Sequence, residues 1–448
     1  MTWRVRFTLV LAVLFVSTAG MLWAHARLVR SDPASGERLA APPRVIRLEF
    51  SETVSPATSR VELVAPDSQH LALALRADSK NGKTLLATVP ELGVAGDYRV
   101  DWRLIGPDGH AVTGTYGFHV DTIPRLAATP PAPAPTAAEP ADAFAAEGSL
   151  QVGLRFVSSL SLTLLIGSVV FSLFVLPRVS LPTAESSSGI GRRLRTWALL
   201  GAVLFLATLG VRLTIQGAML AGDEALRASD LIAIVMRSSW GRAWLIAALF
   251  ALVVIVVLQV GPRIRSVWPV LAVACLGLAF ASPGLGHPSS TGARAIAHGL
   301  DFVHVLAAGG WVGSLLVMAI VAMPQAFALD GEQRTSAIQS MLRAFTPVAL
   351  TCAAVLAASG AGEAWLQLGS LAALWSTAYG LALVRKLVLV MLVAAVGAWH
   401  WRVAQPTLGN DRSLARLRGS LALDVALVLG LLLFTAILTG TPTPVDMP

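Results

Sequence analysis

The sequence predicts an exported Greek-key β-barrel or sandwich domain followed by an all-α polytopic membrane bundle of about eight helices. Three observations predict it. Of 448 residues, 55% are hydrophobic and only 13% charged, too apolar a balance for a water-soluble chain of this length. The long apolar runs lie after residue 150, whereas residues 25–121 alternate apolar and polar residues in short stretches broken by turns. The net charge of +8 sits mainly as arginine in short loops between the apolar runs, which marks membrane topology and not a nucleic-acid surface.

Residues 1–24 read as a secretory signal. Arg4 and Arg6 form its basic start, residues 7–22 its apolar run, and Ala24 the small residue before a cut. Leu22, third before the cut, fits less well, so an uncleaved anchor helix is the alternative. Cleaved or not, such a segment exports the domain that begins at His25.

Residues 25–121 read as all-β. "RVIRLEF" (44–50), "RVELVAP" (60–66), "LALALRA" (71–77), "TLLATVP" (84–90), "DYRVDWRLI" (97–105) and "GTYGFHV" (114–120) are strand candidates. "SKNGK" and "GPDGH" supply turn residues between them. Residues 122–149 are rich in proline and alanine and read as a semi-extended linker.

Residues 150–441 read as membrane, with spans at 153–176, 196–220, 241–260, 267–282, 299–323, 344–367, 381–401 and 420–440, each near the roughly 20 residues a crossing needs. If the β domain is outside, the cytoplasmic loops and span ends carry Arg178, Arg192, Arg193, Arg195, Arg263, Arg265, Arg334, Arg343, Arg402, Arg412, Arg416 and Arg418. The opposite side has Arg227, Arg237, Arg242 and Arg294. This asymmetry predicts an exported N-terminal domain and a short exported tail at 442–448. Cys275 and Cys352 lie inside spans and build no disulfide framework.

Cleavage after Ala24 would leave His25 with a free α-amine beside its imidazole, a pair able to close a chelate ring on a metal. Asp108 and His110, in the turn segment "GPDGHAVTG", add a carboxylate and a second imidazole. Two imidazoles, an amine and a carboxylate suit tetragonal Cu(II), although zinc accepts the same donors in a tetrahedron. An Asx turn explains a D-x-H loop without any metal.

At these residues the chain resembles the periplasmic copper-binding family CopC. "HARLVRSDPASGERLAAPPRVIRLEFSETV" and "DGHAVTGTYGFHV" carry the resemblance over nearly all of residues 25–120. It implies a Greek-key β-barrel that binds Cu(II) through His25 with its amine, Asp108 and His110. Glu52, in "FSETV", is implied as a supporting carboxylate. Ala111 replaces the family's proline after D-G-H, and residues 25–120 contain no methionine, so a Cu(I) site of the Met-rich kind is not implied. His70 and His119 read as surface histidines.

Polar residues inside spans are costly, and the densest group lies in "GHPSSTGARAIAHGLDFVHVLAAGGWVGSLL", residues 286–316. His298, Asp301 and His304, three apart, share one broad helical face, and Asp301 can orient either imidazole. Gly309, Gly310, Gly313 and Ser314 offer a small-residue surface to another helix, and Trp311 lies one heptad after His304. Hydrogen bonding within the bundle is the alternative reading of these histidines. "HGLDFVHVLAAGGWVGSL", "YGLALVRKLVLVMLVAAVGAWHWRV" and "RLRGSLALDVALVLGLLL" resemble helices of the copper-handling membrane family CopD, with Asp424 where that family has glutamate. Arg212 and Glu363 can pair across spans, and Cys275, Cys352 and Met391 read as packing.

The joint resemblance implies copper acquisition and transfer into the cell across a bacterial inner membrane. Cu(II) would be captured outside and delivered to a membrane path of His287, His298, Asp301, His304 and Trp311. The expected partners are copper ions and the lipid bilayer, with no nucleic acid. No P-loop or aspartyl-phosphate motif is present, and a transport or binding role, not an enzymatic one, is expected. Two alternatives stay open: a membrane-anchored copper buffer, resistance or sensing protein, and a b-type haem electron carrier using membrane histidines.

Overall fold

The structure is a computed structural model and describes residues 27–78, 82–106, 111–122, 149–221, 225–260, 267–285, 294–405 and 411–441. His25, Asp108, His110 and His287 lie outside the described residues.

Nine described strands form two facing sheets. One contains β1 (Leu28–Asp32), β3 (Val45–Phe50), β6 (Ala74–Ala77) and β7 (Thr84–Thr88) in the order β1-β3-β7-β6. The other contains β2 (Arg38–Leu39), β4 (Ser59–Val64), β5 (His70–Ala72), β8 (Gly96–Ile105) and β9 (Ala111–Val120) in the order β2-β9-β8-β4-β5. All pairings are antiparallel except β2 with β9. Alternation builds the core: Ile46, Leu48 and Phe50 of β3 face Tyr98, Val100, Trp102 and Leu104 of β8. Phe50 meets the Trp102 ring edge-on, centroids 5.1 Å apart. Gly114 lies opposite Trp102 in the ladder, and a Cβ there would strike the indole.

Two features differ from the sequence reading. Residues 71–77, predicted as one strand, are β5 and β6 in different sheets, divided at buried Leu73. The apolar repeat is continuous there because each half faces the same core from a different sheet. The short strands β1 and β2 were not predicted.

All eight spans form: Ser149–Arg178, Ser186–Ala221, Ser239–Val260, Trp268–Leu285, Ala295–Phe327, Gly331–Leu368, Tyr379–Val403 and Arg412–Leu438. Leu249, Val273, Leu350 and Met391 point outward, as a lipid-facing surface requires. The small-residue surface of the fifth span meets the first, since a Cβ on Gly313 would collide with the Thr163 carbonyl and one on Gly167 with Gly313. A short helix that was not predicted, Ala228–Arg237, lies between the second and third spans.

Candidate functional site

The β domain sits on the bundle by one end. Residues 51–58, which include Ser51, Glu52 and a 3-10 turn at Pro56–Thr58, join β3 to β4, so the end of β3 and the start of β4 share that end. Arg27 N–H donates to Ser51 Oγ at 2.9 Å, and Ser51 N–H donates to Arg27 O at 2.8 Å. Ile105 and Ala111, a facing pair, bound the loop that carries Asp108 and His110. Thr58 Oγ1 donates to Ile105 O at 3.4 Å, which ties that loop's root to the same end. The segment just after His25, the half-buried Glu52 and both ends of the D-G-H loop therefore converge.

This end is also the docking face. Arg60 Nη2 reaches Asp230 Oδ1 at 2.7 Å, and Arg103 donates to Ala221 O at 3.4 Å. Ile105, only 2% exposed, packs in the same apolar cluster as Leu213, Leu220 and Ile234 of the membrane domain. Asp230 also accepts from Arg227 N–H at 3.1 Å, capping the short helix while it holds Arg60.

Burial holds the hydroxyls of Tyr98 and Tyr116 above the ordinary phenol range, so neither offers a phenolate to a metal at neutral pH. His70 and His119 are not simply solvated. His70 lies 3.5 Å from Glu62. His119 lies between Asp97 at 2.7 Å and Asp121 at 3.4 Å, at the end of β9 away from Ala111.

Elsewhere in the bundle, the fifth, sixth and seventh spans supply a polar cluster. The fifth contributes His298, Asp301 and His304, as the spacing predicts. His304 Nδ1 lies 3.0 Å from Ser359 Oγ and 3.7 Å from Glu363 Oε1, both on the sixth span. Ser359 and Glu363 share a face because they are one turn apart. The Asp301 and Glu363 carboxyls meet at hydrogen-bonding range, with Lys386 of the seventh span in Coulombic reach of both. Two carboxyls so close need a proton or a cation between them, and the Lys386 ammonium meets part of that need. Gly360 admits the His304 ring, its missing Cβ lying 3.3 Å from Cε1. Phe280 packs edge-on to His298 at 4.8 Å.

Asp301 thus meets Glu363, with Lys386 and His298 in Coulombic reach, while Ser359 and Glu363 flank the His304 ring. Arg212 does not pair with Glu363: it donates to Leu285 O at 2.8 Å and stacks over Trp240. Trp311 packs against the apolar core around Leu315 and Leu316. Among the described residues, no three His, Cys, Asp or Glu side chains are arranged to hold a metal ion. Sequence reasoning missed Lys386, although a lysine seven residues into an apolar span is itself the signal.

The chain matches three family models: CopC domain over residues 28–121, copper resistance protein D-like N-terminal domain over 145–297, and copper resistance protein D over 339–438. Copper resistance protein C of Pseudomonas syringae pv. tomato is 39% identical over 23% of this chain and 89% of its own length. The chain belongs to the CopC–CopD copper family. The copper transport protein CutJ of Bacillus subtilis (strain 168) is 26% identical over 99% of this CopC–CopD chain and 80% of its own length. The inner membrane protein YebZ of Escherichia coli (strain K12) is 26% identical over 59% of this chain and 87% of its own. The CopC match includes Glu52, Asp108 and His110 and begins after His25. The two membrane matches bracket residues 298–338, so His298, Asp301, His304 and Trp311 fall between them, while Glu363 and Lys386 lie inside the second. The family's names are those of copper transport and resistance proteins, not of enzymes.

Proposed function

We propose that this chain imports copper: residues 25–121 capture Cu(II) on the exported side and pass the ion to the membrane cluster beneath. The observation that carries this is the docking geometry, in which Ile105 and the Arg60–Asp230 pair hold one end of the sandwich on the bundle. That end bears Glu52 and both ends of the D-G-H loop. Capture uses His25 with its α-amine, Asp108 and His110, with Glu52 in support. The linker at 122–149 keeps donor and acceptor in one chain and raises their effective concentration.

In the bundle the cargo meets His287, His298, Asp301 and His304, with Glu363 and Lys386 completing the charge set. Among the described residues, Glu363 Oε1 and His298 Nε2 are buried without hydrogen-bond partners, the kind of open valence an arriving cation fills. The excess of arginine in the sequence segments after the odd-numbered spans supports a cytoplasmic location for that end of the bundle.

Copper uptake into proteoliposomes tests the reading. Wild type should accumulate copper, and His25→Ala and His304→Ala should each abolish it. If His304→Ala accumulates copper as wild type does, the bundle is only an anchor for a copper buffer. The haem alternative needs paired histidines, yet the described membrane histidines contact Ser359, Glu363, Ser420 and Asp424 or pack on Phe280.

A further inference from the structure

The far end of the bundle holds a second polar cluster that the copper path does not use. His400 lies near the end of the seventh span and Asp424 in the eighth, their side chains 7% and 1% exposed. His400 Nδ1 stands 3.3 Å from Asp424 Oδ2, and Nε2 stands 2.7 Å from Ser420 Oγ. Ser420 Oγ donates in turn to Leu417 O at 2.9 Å. Neither Asp424 oxygen has a conventional hydrogen-bond partner among the described residues.

Hydrogen-bond accounting then locates a proton. A hydroxyl has one hydrogen, so Ser420, donating to Leu417, accepts from His400, and Nε2 carries the ring N–H. That assignment follows from the network, since ring hydrogens are inferred. A neutral ring in this tautomer turns its Nδ1 lone pair toward a carboxylate oxygen. Two buried acceptors facing each other are unfavourable unless a proton lies between them. If Ser420 instead donates to Nε2, Nδ1 is the N–H and a proton again occupies the gap.

We propose that His400 and Asp424 bind one exchangeable proton, and that the bundle couples cation passage to movement of that proton. The coupling rests on the proposed copper transport; the proton site does not. Transfer breaks the Nδ1–H bond as an O–H bond forms on Asp424, or the reverse, with no change of oxidation state. Val403, three residues beyond His400, ends the span, so far-side water is about 5 Å away along the axis. A metal is the poorer occupant, because Nε2 is engaged by Ser420 and one nitrogen with one carboxylate is too small a donor set.

No other charged group among the described residues competes for the pair. The elements packed on it are the first, seventh and eighth spans and the end of the fifth. The sixth span also meets this end, where Gln339 donates to Gln405 O. Together these elements carry Arg155, Arg178, Arg334, Arg343, Arg385, Lys386, Arg402, Arg412, Arg416 and Arg418, and no ion pair joins any of these to His400 or Asp424 among the described residues. Arg402 stacks on Trp401 and Arg418 on Phe327. Lys386 is 14 residues from His400, about 21 Å along the helix.

The test uses the full-length protein in proteoliposomes containing a pH-sensitive dye, with Cu(II) and a reductant added outside. Asp424→Asn is the informative variant, because its amide N–H satisfies Nδ1 while removing the exchangeable proton. A purely structural pair predicts wild-type behaviour from this variant. The proposal predicts loss of copper-driven proton movement, restoration by Asp424→Glu, and loss again in His400→Gln. A wild-type ratio of protons to copper in Asp424→Asn overturns it, as does wild-type copper uptake without proton movement. Infrared difference spectra across the neutral pH range are the second measurement. They should show a protonated-carboxyl band that Asp424→Asn deletes, and its absence overturns the proton site. If wild type moves no copper, the transport reading and the coupling fail together, and the infrared band alone decides whether the pair binds a proton.

Discussion

Arg60 of the β-sandwich and Asp230 of the membrane domain stand 2.7 Å apart, and Asp230 also caps the helix that presents it. One carboxylate therefore orders the receiving surface and holds the incoming domain. Arg60→Ala removes only the second role and should weaken docking by on the order of 1 kcal/mol, since its side chain is 37% exposed and screened by water. Asp230→Ala should cost more, because its hydrogen bond from the Arg227 N–H at the start of the helix is lost as well. Energy transfer between labels on the sandwich and the second span measures both. Equal effects from the two substitutions would contradict the double role.

Cu(II) capture should depend on the new chain end. One extra residue ahead of His25 should reduce Cu(II) affinity by orders of magnitude without changing the fold, as read by competition titration. The ligands must be deprotonated to bind. Their ordinary values, about 6.5 for imidazole and 7.7–8.0 for an α-amine, make affinity rise with pH through that window and fall on acidification. A pH-independent affinity across the window would exclude the amine.

Lys386 should stabilise the membrane cluster chiefly through Asp301 and Glu363. Lys386→Met leaves two carboxyls in contact without the nearby cation and should lower stability. Adding Glu363→Gln should recover part of that loss. Thermal unfolding in detergent reads both steps, and simple additivity would show that lysine and carboxyl act separately.

Gly313→Leu should be among the most damaging single changes in the bundle. Its side chain would have to occupy the place of the Thr163 carbonyl on the first span. Backbone cannot yield as a flexible side chain can, so a cost of at least about 1–3 kcal/mol is expected. Folded yield in detergent is the measurement. Gly153→Ala, which meets nothing within 4 Å, is the control that should leave yield unchanged.

Much of this was legible from spacing. The eight apolar runs are long and bounded by charge, with few charged residues inside them, so their existence and number follow from bilayer thickness. His298, Asp301 and His304 were legible because their repeat matches a helical face. Lys386 was not, since its partners lie on two other spans and no spacing within one segment points to them. The His400–Asp424 pair joins two spans and was equally hidden. The helix Ala228–Arg237 escaped because ten residues with two charges resemble a loop until a neighbouring domain covers one side. Residues 71–77 misled for a related reason: period-two alternation records which side chains face the core, and not which sheet supplies the backbone hydrogen bonds.

The burial of Ile105 among membrane side chains has a practical corollary for anyone cutting the molecule in two. A fragment ending before the first span would bring an isoleucine suited to contact into bulk solvent, beside two arginines, Arg60 and Arg103, cut off from their membrane-side acceptors. Such a fragment should self-associate through that patch, and replacing Ile105 with threonine should keep it monomeric.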